Sequence, residues 1–175
     1  MKRACMLSLV LVLAGCGQMT PSNTTAVGKL STDVAIEEFE GNVELFGNRL
    51  RARRQVKLDA ESNYINHGKA VAWYDNGQKA GEMTFQEGLP NGKQVSWHSN
   101  GKKRLFGQSQ DGLATGRWIE WYDNGQKQSE GDYLEGERSG MWSFWEPTGS
   151  LIETVEYRGG RKLGVAQSPR QRTTR

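Results

Sequence analysis

Glycine recurs every 24 residues in this chain, in three separate columns: Gly68, Gly92, Gly116 and Gly140; Gly77, Gly101, Gly125 and Gly149; Gly88, Gly112, Gly136 and Gly160. A fourth column at the same spacing is tryptophan, at Trp73, Trp97, Trp121 and Trp145. Self-similarity of this length marks an array of small units, each unable to bury a face alone and dependent on its neighbours. Two glycine turns per unit, separated by stretches containing Trp, Val, Tyr and Phe, describe a β-hairpin. Composition agrees, with six Trp, five Tyr and twenty-two Gly in a chain whose hydrophobic residues make up only 35%. So few apolar residues cannot fill a thick two-layer core, and thin, turn-dense β structure follows. The expected fold is all-β, a single-layer antiparallel sheet of stacked 24-residue hairpins over residues 67–162. A degenerate cap occupies 31–66, where Asn42 to Ala60 alternates as a starting hairpin and Thr32 to Phe39 reads as a short helix opened by Asp33. The basic stretch 163–175 reads as a disordered tail.

The turns Asp75-Asn76-Gly77, Ser99-Asn100-Gly101 and Asp123-Asn124-Gly125 allow a two-residue Asn-Gly turn or a three-residue loop with glycine left-handed. A one-residue change of register flips every side chain, so facing chooses between them. The three-residue loop puts Trp73 beside Val71, Lys79, Gly81, Met83 and Phe85, whereas the two-residue turn puts it beside Ala80, Glu82 and Thr84. The first keeps the apolar columns together. On this reading Trp73, Trp97, Trp121 and Trp145, with Gly77, Gly101, Gly125 and Gly149, form the structural core of the repeat.

These units resemble MORN-type repeats, in the variant found in bacterial proteins of the YwqK antitoxin family. The resemblance runs from His67 to about Lys162 and rests on Trp-Tyr-Asp-Asn-Gly-Gln-Lys at Trp73 to Lys79 and again at Trp121 to Lys127. Glu146-Pro147-Thr148-Gly149 departs from it, as expected of a terminal capping copy. The likeness implies architecture, since repeat folds lend themselves to many binding tasks.

Ahead of the repeats, Lys2 and Arg3 precede an apolar run from Met6 to Leu13, far short of the ~20 residues that span a bilayer. Residues 1–15 therefore read as a signal peptide. Leu13-Ala14-Gly15-Cys16 resembles the lipobox of bacterial lipoproteins, which implies cleavage before Cys16 and acylation of its thiol, the one strong nucleophile there. Three acyl chains, as in that family, exceed the two-signal threshold for stable anchoring. Gly17, where inner-membrane lipoproteins often carry Asp, implies the outer membrane if the cell has two. Residues 16–30 then form a polar tether whose reach is roughly 20 Å. Cys5 and Cys16 are the two cysteines, so this processing leaves no free thiol for a disulfide, a metal or a nucleophile.

Catalytic chemistry has few candidates. His67 and His98 are the two histidines, and both read as solvated turn residues. No spacing of ligands suits zinc. Gly88 to Lys93 has the outline of a phosphate loop but lacks the second glycine spacing and a following Ser or Thr. Glu82, Glu130 and Asp132 lie on a polar strand face with nothing evident to shift their pKa. Arg49 to Arg54, four arginines in six residues, suits phosphates of lipid headgroups, or more simply a charged edge that blocks unwanted strand pairing. The net charge of +3 gives no reason to expect nucleic acid. No enzyme activity and no cofactor are expected.

The expected function is that of a lipid-anchored binding or scaffold module, engaging a protein of the cell envelope through its sheet. Alternatives are a glycan or peptidoglycan platform, because sugar rings stack on Trp, and a partner that neutralises an envelope toxin, which the family resemblance alone implies. Trp118, Tyr122, Trp142 and Phe144 lie outside the shared repeat pattern and on the side opposite the Trp column. As a clustered aromatic patch they are the expected partner-binding surface, the alternative being that the tail after Lys162 or the segment before Asn42 folds over them as a lid.

Overall fold

The structure, a computed structural model, describes residues 37–45 and 48–167. The expected signal peptide (1–15), Cys16 and the expected tether (16–30) lie outside the described residues. The strands are β1 (Glu37–Leu45), β2 (Asn48–Leu58), β3 (Tyr64–Trp73), β4 (Lys79–Gln86), β5 (Leu89–Trp97), β6 (Lys103–Gln110), β7 (Leu113–Trp121), β8 (Lys127–Leu134), β9 (Glu137–Trp145), β10 (Leu151–Arg158) and β11 (Arg161–Gln167). They form one antiparallel sheet in sequence order, with no helix among the described residues. Strands β3 to β10 are the four hairpins expected from the repeat. The cap is a regular hairpin that starts at Glu37, so the proposed helix is strand from Glu37 to Phe39. Residues 161–167 form β11 and pair with β10, which corrects the expected tail over 163–167; its remainder lies outside the described residues. Strand β2 is paired on both sides, by β1 and β3, which rules out the edge role suggested for its arginines.

Two turn types alternate along the sheet. At one side the three-residue loop is present: Gly77 N donates to Tyr74 O at 2.9 Å, Tyr74 N donates to Gln78 O at 2.8 Å, and Gly77 has φ +82°. At the other side Glu87-Gly88, Asp111-Gly112 and Glu135-Gly136 are two-residue turns with both residues left-handed, the twist-matched type I′ geometry. Asparagines stitch successive loops together. Asn76 donates to Ser99 O, Asn100 to Asp123 O and Asn124 to Pro147 O, at 2.7–2.8 Å.

The loop is as expected, but the facing is reversed. Trp73 pairs with Lys79 and Ala72 with Gly81, which leaves Ala80 as an unpaired bulge. Arg104, Gln128 and Ile152 occupy the same place in the later units. The extra residue moves the second strand by one, and one residue is enough to exchange its faces. Met83 therefore lies opposite Ala70, on the side away from Trp73.

The core is the face carrying Leu50, Ala52, Ala70, Ala72, Met83, Phe85, Leu105, Trp118, Tyr133 and Trp142. With no second layer among the described residues, its side chains must cover one another. They do so as a transverse row of large and small residues: Ala70, Met83, Gln94, Gly107, Trp118, Gly131, Trp142 and Val155. Each large side chain buried this way contributes about 1.5–3 kcal/mol. Trp73, Trp97, Trp121 and Trp145 stand on the other face and are only half-buried. They are not the core of the repeat.

Candidate functional site

Trp118 and Trp142, expected at a partner surface, are each 2% exposed. Their rings lie against the backbone of Gly107 and Gly131, where a Cβ would come within 2.3 and 2.2 Å of an indole carbon. Both indole N–H groups are satisfied within the chain, Trp118 Nε1 donating to Thr115 O at 3.2 Å and Trp142 Nε1 to Asp132 O at 3.0 Å. Tyr133 stands edge-on between them, with ring centroids 5.5 and 5.1 Å away. Phe144 stacks on Trp142 at 6.2 Å, and the Arg138 guanidinium covers Trp142 at 4.4 Å. Tyr122 is half-buried, its hydroxyl donating to Trp145 O at 2.9 Å. Trp118 and Trp142 thus belong to the core, because glycines opposite them leave room for an indole. The expectation of a free patch built on these two is corrected.

Tyr74 and His98 occupy the same column as Tyr122 and bond in the same way to the next unit. Tyr74 donates to Trp97 O at 2.8 Å, and His98 Nε2 lies 2.9 Å from Trp121 O. His98 is therefore a half-buried strand tie rather than a solvated turn residue. His67 lies at the Glu87 turn, with Nδ1 3.5 Å from its carboxylate.

The open face is organised in rows. Nearest the three-residue loops, tryptophans alternate with cations: Arg51 lies over Trp73 at 5.7 Å, Lys79 over Trp97 at 5.4 Å and Lys127 over Trp145 at 5.6 Å. Each is worth about 0.5–1 kcal/mol at a wet site, and they bind the cap to the first hairpin, the first to the second and the third to the fourth. The next row brings Val95, Phe106 and Ile119 side by side, Val95 pairing with Phe106 and Phe106 with Ile119. Trp97 and Trp121 flank that trio along their own strands, and all five are half-buried. This apolar group at the middle of the sheet was missed because the facing was read one residue out of step. The signal was present as Val-Ser-Trp and Ile-Glu-Trp on neighbouring strands, with Phe106 between them.

Ion pairs frame the group on both sides. Glu82 meets Lys69 at 2.9 Å and Lys79 at 2.7 Å, and Glu130 meets Arg117 and Lys127. The Lys79 and Lys69 hydrogen bonds hold the Glu82 carboxyl below the usual range. For Glu130 burial acts upward, and the bonds from Lys127 and Arg117 outweigh it, so its pKa is lowered as well. Arg117 is raised by its bond to Glu130. The neighbourhoods of Glu82 and Glu130 therefore do perturb them, in the direction that keeps them ionised and unfit to carry a proton at neutral pH. Arg54, pushed down by burial, donates to Asn66 at 3.3 Å. Among the described residues no group of three or more His, Cys, Asp or Glu converges as a metal site. The arrangement can hold a ligand by apolar contact and charge.

The family model described as MORN repeat variant matches residues 66–87 and 114–135, the first and third hairpins. No curated protein matches the chain. These matches support MORN-type repeats at the first and third hairpins, and the second and fourth share their 24-residue spacing, loop and bulge.

Proposed function

We propose that the protein is a non-enzymatic binding module that engages a protein partner through the open face of its repeat sheet, and that acyl chains on Cys16 hold it in the envelope membrane. The observation that carries the binding reading is the Val95–Phe106–Ile119 row between Trp97 and Trp121, an apolar centre on a face that no described segment covers. An apolar, aromatic centre ringed by charge is the make-up of an interface hot spot. Sugar stacking is the weaker reading, because Lys79 and Lys127 already lie over the rings of Trp97 and Trp145.

The anchor rests on the sequence from Lys2 to Cys16, and mass spectrometry of the mature amino terminus tests it. An acylated Cys16 at position one supports the reading; a different terminus or an unmodified Cys16 sinks the membrane part. Binding is tested by affinity capture from the native envelope with purified tagged protein. Ile119→Glu should lose a partner that wild type retains, while folding to the same circular dichroism spectrum. Equal capture by both proteins would mean that the open face is not the binding face.

A further inference from the structure

The second repeat lacks one charge that its neighbours possess. In the first unit Glu82 sits between Lys69 and Lys79, and in the third Glu130 sits between Arg117 and Lys127. The same three places in the second unit, each 24 residues on, are Lys93, Phe106 and Lys103. Both cations are kept and the carboxylate between them is replaced by a phenyl ring. In the fourth unit the places are Met141, Thr154 and Leu151, neutral throughout, so the second unit alone pairs two cations with no acid. Lys93 and Lys103 are exposed and meet no carboxylate among the described residues. They flank Phe106, which is the centre of the Val95–Phe106–Ile119 row.

We infer that Lys93 and Lys103 receive a glutamate side chain of the partner, which takes the place that Glu82 and Glu130 fill within the chain. This rests on the open face being the binding face and names what it recognises: an acidic protein segment with apolar side chains beside the acid. The carboxylate gains two charge-assisted bonds of the kind seen at Glu82. Its methylene stem lies over Phe106, and the adjacent apolar side chains over Val95, Ile119 and the two tryptophans. A small hydrated anion would meet the same lysines but gain nothing from the phenyl floor, and this favours a carboxylate on a hydrocarbon stem.

The test is a fluorescence titration of the purified protein, read from its tryptophans, with the peptide Leu-Glu-Phe-Glu-Leu capped at both ends. Saturable binding is expected, at least tenfold weaker for the same peptide with Gln in place of Glu. Phe106→Glu, which rebuilds the internal triad, should also weaken binding at least tenfold while leaving the melting temperature unchanged or raised. Lys93→Gln/Lys103→Gln should weaken it similarly without a change in melting temperature, which keeps the test valid if Phe106→Glu folds poorly. Inorganic phosphate and a linear polyuronate at matched charge should not displace the peptide. The inference is overturned by no saturable binding, by equal affinity for the Gln peptide, by unaltered binding in either variant, or by displacement with phosphate or polyuronate. Should it fail while Ile119→Glu still abolishes capture of the native partner, the open-face reading stands and only the glutamate site falls.

Discussion

Trp142 lies against the backbone of Gly131 on the neighbouring strand, so closely that a methyl group on Gly131 would come within 2.2 Å of the indole. Trp118 has the same relation to Gly107. A single-layer sheet gains a core by this device, one strand omitting a side chain so that the next can lay its largest across the gap. Overpacking costs about 1–3 kcal/mol where the neighbour cannot yield. Gly131→Ala should therefore lower stability by at least that much, measured as a urea midpoint.

Loss of the indoles should cost more. Trp118→Ala and Trp142→Ala are each expected to destabilise by about 3–5 kcal/mol, and the double variant should show little cooperative unfolding by circular dichroism. A double variant that melts as wild type would return these residues to the surface.

Acid should weaken the fold through Glu82 and Glu130. Their folded pKa values lie below the unfolded carboxylate value of about 4.3. Their stabilisation is therefore complete above that value and is lost as pH falls through the lower folded values. Urea midpoints at pH 7 and pH 3 should differ less in Glu82→Gln/Glu130→Gln than in wild type, with most of the change at pH 7.

Glu135 is held left-handed at φ 51° at the first position of its turn. An L-residue there costs about 1–2 kcal/mol, part of which glycine returns as chain entropy. Glu135→Gly should raise stability by about 0.5–1 kcal/mol in denaturant titrations.

Removing a whole 24-residue unit keeps strand direction and facing, whereas removing twelve residues changes the direction of all that follows. The first deletion should leave a cooperative melt at lower temperature, and the second should abolish it.

The architecture was legible because each repeated column has one physical cause. Gly77 serves the left-handed loop position and Gly88 the type I′ turn, and no other residue type is as free at both. Facing was not legible, because it depends on the bulge at Ala80, and nothing distinguishes Ala80 locally from an ordinary strand residue. That one residue decides whether Met83 and Phe85 share a face with Trp73 or with Ala70. It also exchanged the roles given to the two sets of tryptophans. Gly107 and Gly131 carried the missing clue, since a glycine inside a strand invites the close approach of another group.

Which tryptophans face solvent decides where a partner can bind, and oxidative footprinting of the native protein read by mass spectrometry measures that directly. Trp73, Trp97, Trp121 and Trp145 should be modified while Trp118 and Trp142 stay protected, with bound partner further protecting Trp97 and Trp121. Modification of Trp118 and Trp142 as fast as the other four would contradict the assignment of faces and, with it, the binding surface.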